Sequence, residues 1–180
     1  MIKIFYRLSL FIFCSLLFSS CFDDTEETNY KKYEDWRNEN VKYIKDLESE
    51  IIDGQPRFKK IVPAWDKSVY TLMEWHKRNE ESKSGLYPIS TSIVDVKYVL
   101  RNIDGDTIDS SSFYRCRPNS NVTGFWVALT NMLPGDSVTA VIPFEAGYGV
   151  YGSKNILPYS TLIFDIKLVS IVAYESLPWR

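Results

Sequence analysis

Few residues of this chain could carry covalent or metal chemistry. His76 is the only histidine, so any Ser-His-Asp or Cys-His nucleophile would have to use it. It falls at the end of a predicted strand and reads as an exposed side chain. The cysteines are Cys14, Cys21 and Cys116, and with a single histidine they offer no zinc-type ligand cluster. Gly147, Gly149 and Gly152 invite a phosphate-cradle reading. A cradle, however, runs from a strand into a helix N-terminus whose N–H groups face the anion. These glycines lead instead into an alternating, strand-like run, and no P-loop lysine-serine pair accompanies them. The carboxylate pairs Asp23-Asp24 and Glu80-Glu81 sit in polar stretches and read as solvated charge; Asn121 begins a sequon by letters only. What remains is aromatic. Tyr98, Phe125, Tyr148 and Phe164 come from four separate segments, each on a predicted inward face or loop lip. They are either plain core or the walls of an apolar pocket with a few placed polar groups.

The elements that must position these rings follow from periodicity. The chain has 180 residues, 45% of them hydrophobic and 15% aromatic, enough for one domain with a core and a short appendage. Its formal charge of −2 carries no basic stripe, which argues against nucleic acid as a partner. Tyr33, Trp36, Tyr43, Ile44, Leu47 and Ile51 recur at spacings of three, four and seven, predicting one amphipathic helix over 29–53. Asn29 would cap it, and Gly54 and Pro56 would stop it. Its apolar stripe would pack on the main domain or join a second copy as a homodimer. From Phe58 the period becomes two. Strands are expected in 58–62, 68–75, 93–100, 137–143 and 161–172, with a brief one at 107–112. Val94, Val96, Tyr98 and Leu100 share one strand face, as do Leu162, Phe164, Ile166 and Leu168. A short helix at 123–132 shows Phe125, Ala128, Leu129 and Met132 at helical spacing. The fold class is α+β: an antiparallel twisted sheet around one short helix, preceded by an N-terminal amphipathic helix.

The first residues read as a processing signal. Lys3 and Arg7 precede the apolar run "LSLFIFCSLLF", too short to span a bilayer as a helix. "LFSSC" resembles the bacterial lipobox, which would make Cys21 the diacylated first residue of the mature chain; an ordinary secretory signal is the other reading. The acidic "FDDTEETN" behind it resembles the surface-export signals of some Bacteroidetes lipoproteins. The expected organisation is a signal peptide at 1–20, a lipid-anchored tether and helix at 21–57, and a main domain at 58–175. The expected location is the cell envelope, on a membrane through Cys21. Cys116 would then be the only free thiol left, buried or idle.

Four motifs, in order, resemble the FKBP-type peptidyl-prolyl isomerase family over roughly residues 92–172. They are "VDVKYVLRNIDGDTIDSS", "GFWVALTNMLPGDSVTAVIP", "GYGVYG" and "ILPYSTLIFDIKLVSI". The resemblance implies an FKBP-like fold and an isomerase of proline-containing polypeptides that needs no cofactor and no metal. It places Phe125 at the pocket floor, where the family has tryptophan, and Tyr98 and Phe164 as ring walls. Tyr148 would donate its hydroxyl to a ligand carbonyl, and Asp109 would stand at the pocket edge. Ile108, Val122 and Ile156 would contact substrate, Val122 through its backbone N–H. Ile108 and Leu157 stand where the family has phenylalanine and proline, and the segment 112–123 is several residues shorter than in the family. Only Phe113 and Tyr114 could replace the rings that segment usually supplies. A module that binds peptides with little turnover is the alternative function, and a closed or open wall at 112–123 separates the two.

Overall fold

The computed structural model describes residues 24–79 and 85–174; the signal peptide, Cys21 and the Glu80-Glu81 pair lie outside them. Two helices, α1 (Asp24–Lys32) and α2 (Glu34–Glu48), lead into a small hairpin of β1 (Ile51–Ile52) and β2 (Gln55–Pro56). Then come β3 (Lys59–Ile61), β4 (Thr71–Lys77), β5 (Ile93–Arg101), β6 (Thr107–Cys116), α3 (Thr123–Leu129), β7 (Ser137–Ile142) and β8 (Leu162–Ala173). The last six strands form one sheet in the order β3-β4-β7-β8-β5-β6, and every neighbouring pair is antiparallel. This is the α+β arrangement expected.

The pleat sends alternate residues to opposite faces, and each face has its own helix. Met73, Ala140, Phe164 and Leu100 line up across four strands and belong to the main core, with Phe125, Ala128 and Leu129 of α3. One residue along, Leu72, Val141 and Ile163 form a row on the other face, and Ile44 of α2 packs there with Phe58. Full burial of one such side chain contributes roughly 1.5–3 kcal/mol. The apolar stripe of α2 is thus turned onto its own domain.

Five expectations are corrected. The single helix over 29–53 is two helices, which break at Tyr33 (φ −111°, ψ 28°) and end at Glu48. Asn29 lies inside α1 rather than capping it, and Ile51 is an exposed strand residue. Gly54, at φ 77°, turns the β1–β2 hairpin; it does not stop the helix. The strand expected to end at residue 112 continues to Cys116.

The short helix is held tightly. A Cβ on Gly124 would fall 2.2 Å from Ile142 Cγ2, so α3 approaches β7 as only glycine permits. Thr71 Oγ1, fully buried on β4, donates to Gly124 O at 3.1 Å. That bond fixes the helix start over the sheet, with Phe125 directly behind it.

Candidate active site

A cavity of about 550 Å³ opens beside the N-terminal end of α3. Tyr98 and Leu100 of β5, Asp109 and Tyr114 of β6, and Phe164 of β8 line it. Phe125 of α3, Ser120, Asn121 and Val122 of the segment before α3, and Tyr148 of the loop before β8 complete it. Five of the residues expected as catalytic, Tyr98, Asp109, Phe125, Tyr148 and Phe164, are therefore brought together, along with Val122. Ile108 and Ile156 are not. Ile108 packs half-buried against the main core. Ile156 is pulled inward by a one-turn bridge in which it exchanges backbone hydrogen bonds of 2.8 and 3.0 Å with Ser153.

The rings form a connected set. Phe125, only 2% exposed, lies 4.8 Å from Phe164. Tyr98 meets Phe164, Phe125 and Tyr114 edge-on at 5.8, 6.0 and 5.7 Å. Such T-shaped contacts suit the ring quadrupoles and fix each ring against its neighbours. The polar tips are placed as well. Tyr98 Oη donates to Asp109 Oδ2 at 2.6 Å, and Asp109 Oδ1 accepts the Ser110 N–H at 2.8 Å. Burial first, then that bond to a carboxylate, holds the Tyr98 hydroxyl's pKa far above the ordinary phenol value, so it stays a donor. Tyr114 Oη donates to Asn121 Oδ1 at 3.1 Å, and Asn121 Nδ2 donates to Arg117 O at 2.8 Å. Burial raises the Tyr114 hydroxyl too.

Two donors on lining residues are unused. The Tyr148 hydroxyl and the Val122 N–H have no hydrogen-bond partner among the described residues.

The segment 112–123 supplies a wall through a β-bulge. Leu100 pairs with Asp109, Tyr98 with Ser111, and Val96 with Tyr114, so β6 carries one residue more than β5. The extra residue reverses the alternation. Tyr114 turns into the cavity and Phe113 turns out, 61% exposed. Asn121, read from sequence only as an idle sequon, orients Tyr114. Its place directly ahead of Val122 at the helix start was the available signal. Ser120 carried none.

The loop bearing Tyr148 is held by its backbone. Gly149 and Gly152 adopt φ 65° and 70°, and Tyr159 N–H donates to Gly149 O at 3.0 Å. A Cβ on Gly152 would stand 2.3 Å from Ile156 O. Tyr159 itself sits at φ 63°, a region that disfavours non-glycine residues by about 1–2 kcal/mol. Its ring is wedged against Phe144 at 5.2 Å and Tyr30 at 6.4 Å.

The histidine and the thiol lie elsewhere. His76 is exposed and shares a 2.7 Å hydrogen bond with Thr139 Oγ1 on the sheet. Burial pushes the Cys116 thiol up to about 11, and it packs against the core outside the cavity lining. Among the described residues no group of three or more His, Cys, Asp or Glu is gathered to hold a metal ion.

The chain is similar to known proteins. The macrophage infectivity potentiator of Trypanosoma cruzi is 39% identical over 82 residues, 43% of this chain and 42% of that protein. The FKBP-type 22 kDa peptidyl-prolyl cis-trans isomerase of Escherichia coli K12 is 37% identical over 94 residues, 49% of this chain and 45% of that protein. The chain thus spans less than half the length of these relatives. A peptidyl-prolyl cis-trans isomerase from Pseudomonas syringae pv. tomato DC3000 superposes with a TM-score of 0.65 at 26% identity, over 77% of this chain and 95% of that one. Residues 87–169, which carry every residue lining the cavity, match the family model of FKBP-type peptidyl-prolyl cis-trans isomerases.

Proposed function

We propose that the cavity takes an X-Pro dipeptide and accelerates its cis–trans isomerisation. Rotation about the X-Pro bond is slow because twisting destroys amide resonance. The barrier is about 18–20 kcal/mol, and uncatalysed exchange takes tens to hundreds of seconds. Catalysis here needs no nucleophile and no proton transfer. It requires only that the twisted amide bind better than the planar one. Twisting makes the carbonyl less polar and the nitrogen more amine-like, so an apolar surround of Phe125, Phe164 and the Tyr98 ring favours it by desolvation. The two unused donors would anchor the peptide on either side, Tyr148 Oη and Val122 N–H each donating to a substrate carbonyl. Each ~1.4 kcal/mol of preference for the twisted form gives about tenfold in rate.

The observation that carries this reading over a binding module without turnover is the wall at 112–123. Tyr114, Ser120, Asn121 and Val122 all line the cavity despite the shorter segment. A prolyl isomerisation assay on the full chain tests it, with Phe125→Ala and Tyr148→Phe for comparison. Wild type should accelerate exchange and both variants should fall behind it. Absence of acceleration by wild type refutes the isomerase reading; equal activity in both variants refutes the site.

The substrates we propose are exported polypeptides, with the protein held at the cell envelope by a lipid on Cys21. The lipobox-like "LFSSC" supports this. Incorporation of labelled palmitate that persists in a Cys21→Ser variant would refute it.

A further inference from the structure

The two N-terminal helices lie outside residues 87–169, yet they grip the loop that carries Tyr148 on both sides. Asn29 Nδ2, on α1, donates to Val150 O at 3.1 Å, two residues past Tyr148. Trp36 Nε1, on α2, donates to Ser160 Oγ at 3.1 Å. Asn40, 1% exposed, accepts the Thr161 N–H on its Oδ1 at 2.6 Å, and its Nδ2 is fixed by Trp36 O at 2.8 Å. Between these points the Tyr30 ring meets Tyr159, and the Arg37 guanidinium lies 3.6 Å over Tyr30 and 5.7 Å from the Tyr159 ring centre. Tyr159 is the residue whose N–H closes the loop onto Gly149.

The loop needs such support. Three of its first six residues, Gly147, Gly149 and Gly152, are glycines, which lose the most backbone freedom on ordering. A hydroxyl that must reach one carbonyl tolerates little displacement, since a shift of about 1 Å can lower the rate on the order of a hundredfold. The gripping side chains are polar and form directed bonds with main-chain or hydroxyl groups of the loop, so they fix its position as well as burying surface.

We propose that α1 and α2 form a positioning element of the site, in which Asn29, Trp36 and Asn40 hold the 147–161 loop so that Tyr148 faces the cavity. The catalytic consequence rests on the isomerase reading above; the bracing itself does not. In this chain the helical arm is then part of the working site.

The test uses the full chain with Asn29→Ala and Trp36→Phe, alone and combined with Tyr148→Phe. Alanine is the better helix former at an interior position, so any loss in Asn29→Ala does not come from breaking α1. Phenylalanine keeps most of the ring of Trp36 and removes the N–H. Amide hydrogen exchange at Gly149, Gly152 and Tyr159 should speed up in both variants, while Ile166 in β8 keeps its protection. Each variant should lower kcat/KM by about three- to tenfold in the presence of the Tyr148 hydroxyl, and by less than about twofold in the Tyr148→Phe background. Equal losses in both backgrounds would assign the helices a purely structural role and overturn the proposal, as would unchanged exchange of the loop amides. If wild type does not isomerise X-Pro bonds, the functional reading fails, while exchange at the loop amides still decides whether the arm braces the loop.

Discussion

Removing the Tyr98 hydroxyl separates two roles for Asp109, orienting a ring or acting on the substrate through its charge. Tyr98→Phe deletes the 2.6 Å bond to Asp109 Oδ2 and leaves the ring against Phe125, Phe164 and Tyr114. A hydrogen bond to a charged group contributes roughly 1.5–3 kcal/mol where water is excluded. Asp109 is exposed, so water replaces part of the lost bond and about 1 kcal/mol is the expected net effect. At about 1.4 kcal/mol per tenfold, that is roughly a fivefold drop in kcat/KM. Asp109→Ala removes the same bond from the other side and should cost a similar factor, and Asp109→Asn, which keeps an acceptor, should fall between Asp109→Ala and wild type. If the carboxylate serves to orient Tyr98, the Tyr98→Phe, Asp109→Ala double variant is no slower than the worse single one. Prolyl isomerisation on an X-Pro peptide, with kcat and KM separated, reads this out. Independent, multiplying losses of roughly twenty-five-fold in total would refute the orienting role and give Asp109 a direct effect on the twisted amide.

Gly124→Ala should destabilise the chain by about 1–3 kcal/mol in urea unfolding, because the new methyl meets Ile142 and forces α3 away from β7; Ile142→Ala, which removes the Cγ atoms that the methyl meets, should cost less in the Gly124→Ala chain than in wild type. Asp95 is held below the ordinary carboxylate range, chiefly by its hydrogen bond from Arg115, in a pair at 2.7 and 2.8 Å. A depressed folded pKa stabilises above the unfolded value and is lost as pH falls through the folded one, so Arg115→Met should lower Tm at pH 7, and the gap to wild type should narrow below about pH 4. Tyr98 works in the opposite direction. Its raised pKa stabilises fully below about pH 10 and is lost as pH rises further, so Tyr98→Phe should flatten the alkaline decline in Tm. Cys116, with its thiol pushed up to about 11, should alkylate with iodoacetamide far more slowly than free cysteine at pH 7.5 and reach ordinary rates on unfolding.

Period-two alternation located β5 and β8 within a residue or two, because both strands bury most of one face and their apolar residues leave no other register. The same logic failed on β6. Its Ser110-Ser111-Ser112 run has no apolar alternation to read, since the strand lies at the sheet edge. Its bulge also changes which residues point inward without any glycine to mark it. That is why Tyr114 and Phe113 could be named together but not told apart. The break at Tyr33 was hidden for a related reason. The apolar stripe begins at Tyr33 itself, and a pattern of faces registers what is apolar, not where the backbone turns.

The four pocket rings were legible through a resemblance carried by motif order; Tyr98, Phe125 and Phe164 lie on regular elements, Tyr148 lies on the loop before β8, and all four line the cavity. Ile156 and Ile108 depend on local backbone detail, a one-turn bridge with Ser153 in one case and the register beside the tip of a hairpin in the other. Motif order cannot carry such detail. The helical arm exposes a deeper limit. Its residues gave a correct amphipathic stripe, but amphipathicity names a face and not what the face covers. Ile44 lies on that stripe and packs against the back of the sheet. Asn29 and Asn40, by contrast, are polar, fall outside any apolar count, and make the bonds that reach the Tyr148 loop. The contacts tying the arm to the site are therefore carried by residues that a hydrophobic reading sets aside as solvent-facing, and only the folded arrangement brings them within hydrogen-bonding distance of a loop more than a hundred residues further along the chain.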